Sequence, residues 1–117
     1  MSMKSEETIF SKIIRREIPA DIVYEDAHCL CFKDINPVAP VHVLLIPKRC
    51  IPRLADAVAS DQDILGELMA KVPVIAKKLG VEDAFRVVVN SGAGACQSVF
   101  HLHIHIIAGR ALGWPPG

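Results

Sequence analysis

The chain has 117 residues, the size of one domain, with 13 basic and 13 acidic residues in balance and 51% of its residues hydrophobic. That balance leaves no electrostatic footprint for nucleic acid or an anionic membrane. No apolar run nears the ~20 residues that span a bilayer. So much apolar surface on a small domain predicts a second copy to cover it, a homodimer.

Residues 1–5 are expected to form a loose tail and residues 6–117 a single domain. The opening "MSMKSEETIF" shows no apolar secretory core. "SEETIFSKIIRREI" predicts a short amphipathic helix. Ser5 is its expected cap, Glu6 and Glu7 fall in its first turn, Ile9, Phe10 and Ile13 share one side, and Pro19 stops it. "DIVYED" and "HCLCFKD" predict two strands joined by a tight acidic turn at residues 25–27. "INPVAP" is a proline-punctuated loop, and the fully apolar "HVLLIP" predicts a central strand ended by Pro47.

Ser60 with Asp63 resembles a capping box opening a helix that runs to Leu79, with Ile64, Leu65, Leu68, Met69, Val72, Ile75, Ala76 and Leu79 at helical spacing and Gly80 as its stop. Pro73 lies inside and is expected to kink or split it. "FRVVVN" predicts a strand, "SGAGAC" a flexible loop, and "SVFHLHIHIIAG" a last long strand. There are no internal repeats. The fold class is α+β with a mainly antiparallel sheet. Cys29, Cys31, Cys50 and Cys96 form no CxxC pair and are expected as reduced structural thiols of a cytoplasmic protein. His28 sits at a turn and is expected at the surface.

The last strand carries most of the chemistry. Side chains alternate faces along a strand, so His101, His103 and His105 share one face while Leu102, Ile104 and Ile106 share the other. Such clustering is poorly explained by ordinary core or surface histidines when only five occur in the chain. Imidazoles on one face suit a zinc site. Neighbouring same-face residues lie ~6.5 Å apart and the outer pair ~13 Å, so three on one tetrahedral ion is awkward. They also suit nucleophilic and acid–base chemistry, one imidazole attacking while its neighbours position it and move protons. The glycine-rich "NSGAGACQS" just before them lets backbone N–H groups approach an anion, which favours a phosphate beside a nucleophile. It is not a Walker loop, having no GK[ST].

"QSVFHLHIHI" resembles the histidine triad signature. "TIFSKIIRREIPADIVYED", "CLCFKDINPVAPVHVLLIPK", "VVVNSGAGACQSVFHLHIHIIAGR" and the terminal "WPPG" are similar to the Hint branch, the histidine triad nucleotide-binding proteins. The resemblance covers roughly residues 6–117. It implies a small α+β homodimer that hydrolyses purine nucleoside phosphoramidates, AMP joined through P–N to an amine, by way of a covalent nucleotidyl-histidine. It makes His103 the nucleophile, with His101, His105 and His42 around it and Ser98 donating to the leaving group. Asn90, Gln97 and Val99 would hold the phosphate and Asp34 the ribose hydroxyls. Ile9, Phe10, Ile13, Phe32, Ile35 and Leu44 resemble the purine pocket, and Trp114 stands where the family's C-terminus reaches the partner subunit. No cofactor is implied as required; zinc can be bound without a part in catalysis.

Bland readings stand beside these. Asp34 before "INP" is a plausible turn former, Phe10 and Phe32 suit an ordinary core, and Trp114 a packing anchor. Cys50 stands where the family often has histidine. The dinucleoside-polyphosphate hydrolase branch shares the triad but has a longer chain, and a nucleotide-binding scaffold is the non-enzymatic alternative. The nucleotidyltransferase branch has glutamine in place of the last histidine.

Overall fold

The computed structural model describes residues 7–117. Five strands form one antiparallel sheet in the order β1-β2-β3-β5-β4, comprising β1 (Ile22–Glu25), β2 (Cys29–Lys33), β3 (Val41–Pro47), β4 (Phe85–Val88) and β5 (Ile104–Ala108). Helices α1 (Ile9–Ile14) and α2 (Gln62–Lys78) complete the fold, which is the α+β architecture the pattern predicts. β3 is the central strand, pairing β2 through Leu30↔Ile46 and Phe32↔Leu44 and β5 through His42↔Ile107 and Leu44↔His105.

β2 and β3 carry apolar residues on both faces because each face is covered. Cys29, Cys31, Val43 and Leu45 pack with Leu102, Ile104 and Ile106 against Leu68, Val72 and Ile75 of α2. The alternate residues, Leu30, Phe32, Leu44 and Ile46, pack against Phe10 and Ile13 of α1. The two buried thiols are therefore core, and burial pushes both up to about 12. His28 is exposed, as expected.

The helix ends differ from the sequence expectation. Ser5, like the tail over residues 1–5 and Glu6, lies outside the described residues. Thr8 is the cap of α1. Its hydroxyl accepts from the Phe10 and Ser11 amides while the Ser11 hydroxyl accepts from the Thr8 amide, a complete capping box. The helix also stops five residues before Pro19. Arg16 adopts φ 66, with its N–H on the Ile13 carbonyl and the Glu17 N–H on the Lys12 carbonyl. That is a Schellman stop with arginine where glycine is usual. Ion pairing of Arg16 to Glu25 helps hold it there.

Ser60 does not cap α2. It lies in a single 3₁₀ turn, Ala59–Asp61, closed by Asp61, whose carboxylate turns back to accept from the Val58 amide at 2.9 Å and from Arg49 at 2.5 Å. α2 continues unbroken through Pro73. The missing N–H would have served the Met69 carbonyl, and both residues are exposed, so water can take that carbonyl. Gly80, at φ 74, ends the helix as predicted, and does so with a Schellman pair, Gly80 N–H to Lys77 and Val81 N–H to Ala76.

The last strand is shorter than predicted. β5 begins at Ile104, where β4 has ended at Val88 while β3 runs on to Pro47 paired only with β2. Val88 of β4 pairs His105, and Leu45 of β3 pairs Ile104. Residues 98–103 leave the ladder and follow the segment after β3 instead, with the Leu102 N–H on the Ile51 carbonyl at 2.7 Å. The glycine loop before them is tied down. The Gln97 side chain accepts from the Gly92 amide at 2.8 Å and donates to the Pro52 and Val99 carbonyls at 2.7 and 3.0 Å. No described helix is long and apolar enough to cross a membrane.

Candidate active site

Although only His105 lies in β5, the alternation holds through the irregular lead-in. Leu102, Ile104 and Ile106 enter the α2 core. The imidazoles turn to the α1 side, where Phe10 stands edge-on to His103 at 5.1 Å and 87° and to His101 at 5.9 Å. His103 and His105 are neighbours at 5.0 Å between ring centres, and His42 joins His105 at 5.2 Å.

Hydrogen bonding assigns the protons. His103 Nδ1 lies 2.8 Å from the His101 carbonyl, an acceptor only, so Nδ1 donates and Nε2 is bare. His101 Nε2 donates in the same way to the Pro47 carbonyl at 2.7 Å. The Val38 amide donates to His42 Nδ1 at 3.1 Å. The neutral His42 proton is therefore on Nε2, from which it is donated to His105 Nδ1 at 2.9 Å. That leaves the His105 proton on Nε2, a buried donor with no partner among the described residues. Burial lowers the pKa of all three triad histidines. For His103 the His101 carbonyl and Asp34 partly offset it, and for His105 the nearby His103 and His42 add to it and bring the value to about 4. All three are neutral at pH 7.

His103 and His105 form the polar end of a cavity of about 560 Å³, together with Ser98 and Asp34. Its other walls are mostly apolar and include Phe10, Ile13, Phe32, Leu44 and Val99, with Ile9 at the mouth and Ile35 on the lip, 90% exposed. Phe10 and Phe32, edge to face at 5.4 Å, are at once core and cavity wall. Asp34 likewise serves twice. Its Oδ1 accepts from the Asn36 amide at 2.8 Å, the turn-former role, while Oδ2 stands 3.4 Å from His42 Nε2.

Other sequence candidates lie elsewhere. His42 and His101 sit behind the cavity wall. Gln97 is buried and committed to the loop, Asn90 is half-buried off the cavity, and Trp114 is 83% exposed and away from it. Ile18, Pro19, Ala20, Asp21, Lys33 and Asn36 complete the lining and were not singled out from sequence. The Cys50 thiol approaches the Phe100 carbonyl at 3.7 Å, one residue from His101.

A metal reading can be tested on these contacts. Asp34, His42 and His105 bring ligand atoms within 4.8 Å of one another, enough donors for one ion. The tautomers do not fit it. To offer Nε2 as a ligand, His42 needs its proton on Nδ1, where the Val38 N–H already points. Two donors would then face each other, so zinc binding requires giving up that contact.

A family model described as HIT domain matches residues 15–112. A "14 kDa zinc-binding protein" of Zea mays is 51% identical over 94% of this chain and 88% of its own. Among solved structures, a HIT family hydrolase from Legionella pneumophila superposes with a TM-score of 0.92 at 38% identity, covering 95% of this chain and all of that one. A histidine triad nucleotide-binding protein from Candida albicans does so at 0.80 and 33% identity, over 93% of this chain and 83% of its own.

Proposed function

The chain belongs to the HIT domain family, and from that premise we propose that it hydrolyses purine nucleoside phosphoramidates through a nucleotidyl intermediate on His103. The observation that carries this is a bare, neutral imidazole nitrogen at the polar end of a cavity whose other walls are mostly apolar and whose size suits a nucleotide. The names of the Legionella hydrolase and the Candida nucleotide-binding protein are consistent with it.

In the proposed reaction the purine sits among Phe10, Ile13, Phe32 and Leu44, and Asp34 accepts from the ribose hydroxyls. His103 Nε2 attacks phosphorus, forming P–N to the imidazole and breaking P–N to the amine. The Ser98 hydroxyl donates a hydrogen bond to the departing nitrogen while solvent supplies the proton with which the amine leaves, a proton that the attacking water of the second displacement returns. The unpartnered His105 Nε2–H and the amides around Val99 bind the phosphoryl oxygens, where negative charge builds. Gln97 holds that stretch in place, and His42 holds the His105 tautomer. His101 supports the imidazolium through its carbonyl, as an acceptor for Nδ1–H. Water then attacks phosphorus, releasing AMP and restoring His103. No metal enters these steps.

The pH profile is a direct check. Because burial lowers the pKa of His103 and His105, both stay neutral below the usual histidine value. The acidic limb of kcat/KM for a fluorogenic adenosine phosphoramidate is expected below pH ~6.5. No turnover of that substrate sinks the reading. A limb above pH 7 sinks the assignment of neutral, buried imidazoles.

The homodimer belongs to the same proposal. Among the described residues β4 ends the sheet with an unpaired edge, and α2 exposes Met69 and Val74 at about half their surface. Trp114, exposed in one chain, would then reach the partner's cavity. Sedimentation at micromolar concentration is expected to give twice the chain mass, and a monomer overturns this part.

A further inference from the structure

Asp21 and Lys33 are charged residues on the cavity wall to which the proposed reaction gives no task. His103, His105, Ser98 and Asp34 are taken up by phosphate and ribose. The backbone sets Asp21 and Lys33 side by side. Asp21 immediately precedes β1, Lys33 ends β2, and the Lys33 N–H bonds the Asp21 carbonyl at 3.0 Å. Their side chains meet at 3.4 Å, both largely in solvent at 68% and 60% exposure. An exposed pair at that distance adds little to stability, so its place on the cavity wall calls for another account.

The neighbouring lining residues locate it. Asp21 follows Ile18, Pro19 and Ala20, and Lys33 follows Phe32, all of which line the cavity. The pair thus borders the apolar walls where the base would lie. A purine between such walls turns a polar edge outward. Its 6-position and N1 present one donor and one acceptor next to each other: amino and bare nitrogen in adenine, N–H and carbonyl in guanine. A carboxylate, which only accepts, beside an ammonium, which only donates, matches the adenine edge, and matches the guanine edge, where the order is reversed, once the two exposed side chains exchange places.

Resting on the nucleotide reading above, we propose that the Asp21–Lys33 pair is a specificity element that reads the 6-substituted edge of the purine, so that a purine lacking that substituent is discriminated against. Solvent competes for both groups, so the expected preference is modest, about fivefold.

Two measurements test it. The first compares kcat/KM for phosphoramidates of adenosine and of unsubstituted purine riboside carrying the same amine, in wild type and in the Asp21→Ala/Lys33→Met double variant. The second compares equilibrium binding of AMP and purine riboside 5′-monophosphate to the same two proteins. Wild type is expected to favour the adenosine compounds about fivefold in both, and the double variant to treat each pair alike. Equal binding by wild type, or a preference undiminished in the variant, overturns the inference. A wild type that turns over neither phosphoramidate but binds AMP preferentially, with the preference lost in the variant, sinks the hydrolase reading and leaves this one standing.

Discussion

Replacing His103 by alanine is expected to lower turnover of an adenosine phosphoramidate by about 10⁴-fold or more, the loss that follows removal of a covalent nucleophile. No neighbour can take over. His101 directs Nε2 at the Pro47 carbonyl and lies behind the wall. The one proton that His105 carries in its neutral form is on the nitrogen that faces away from His42, and His42 is turned to His105 and Val38. The fold should survive, because among the described residues His103 makes one hydrogen bond, to a carbonyl of its own segment. Wild type quenched during turnover should carry a nucleotidyl adduct by mass spectrometry, and the variant none. A variant retaining more than a tenth of wild-type activity with unchanged circular dichroism would remove His103 from the chemistry.

The histidine alternation and the apolar runs were legible because they depend on side-chain period alone. Leu102, Ile104 and Ile106 reach the core as predicted, even though residues 98–103 are not in a strand. What period does not encode is how far a ladder extends. β5 starts at Ile104, next to the end of β4 at Val88, while residues 98–103 bond the segment after β3 instead, and neither fact is written in the strand's own side chains. The same holds for Asp61. Its acceptance from Val58 and Arg49 depends on a 3₁₀ turn that the Ser60 and Asp63 pattern obscures. Arg16 violates the rule that glycine ends a helix, so the end of α1 could not be read at all.

The cavity was half legible. Its apolar walls and His103 came with the family resemblance. The tautomer chain did not, because the Val38 amide that fixes His42 comes from a loop four residues away and carries no mark in its side chain. Asp21 and Lys33 were missed for a related reason. Each is an ordinary surface charge in sequence, and only the β1–β2 pairing sets them together at the cavity wall.

His101→Ala is the second change with a large expected effect, and it separates support from chemistry. The imidazole is 1% exposed and its Nε2–H holds the Pro47 carbonyl at the buried end of β3. Truncation leaves that carbonyl unpaired and opens a cavity beside Phe10, a combined cost of ~2–4 kcal/mol out of the ~5–15 typical of a domain. His101→Phe refills the volume without restoring the hydrogen bond, and should recover less than half of the lost urea midpoint. Full recovery would mean that packing alone mattered. The deficit should also depend on pH. Burial holds His101 neutral in the folded chain, while the unfolded chain takes up a proton near pH 6.5. Its stabilising share is therefore complete above pH 6.5 and is lost as pH falls below it. The gap between wild type and His101→Phe should narrow in acid. In the active site the same variant loosens the segment whose carbonyl orients His103, so kcat is expected to fall while KM for the nucleotide changes little. A rise in KM with kcat unchanged would instead place His101 in substrate binding.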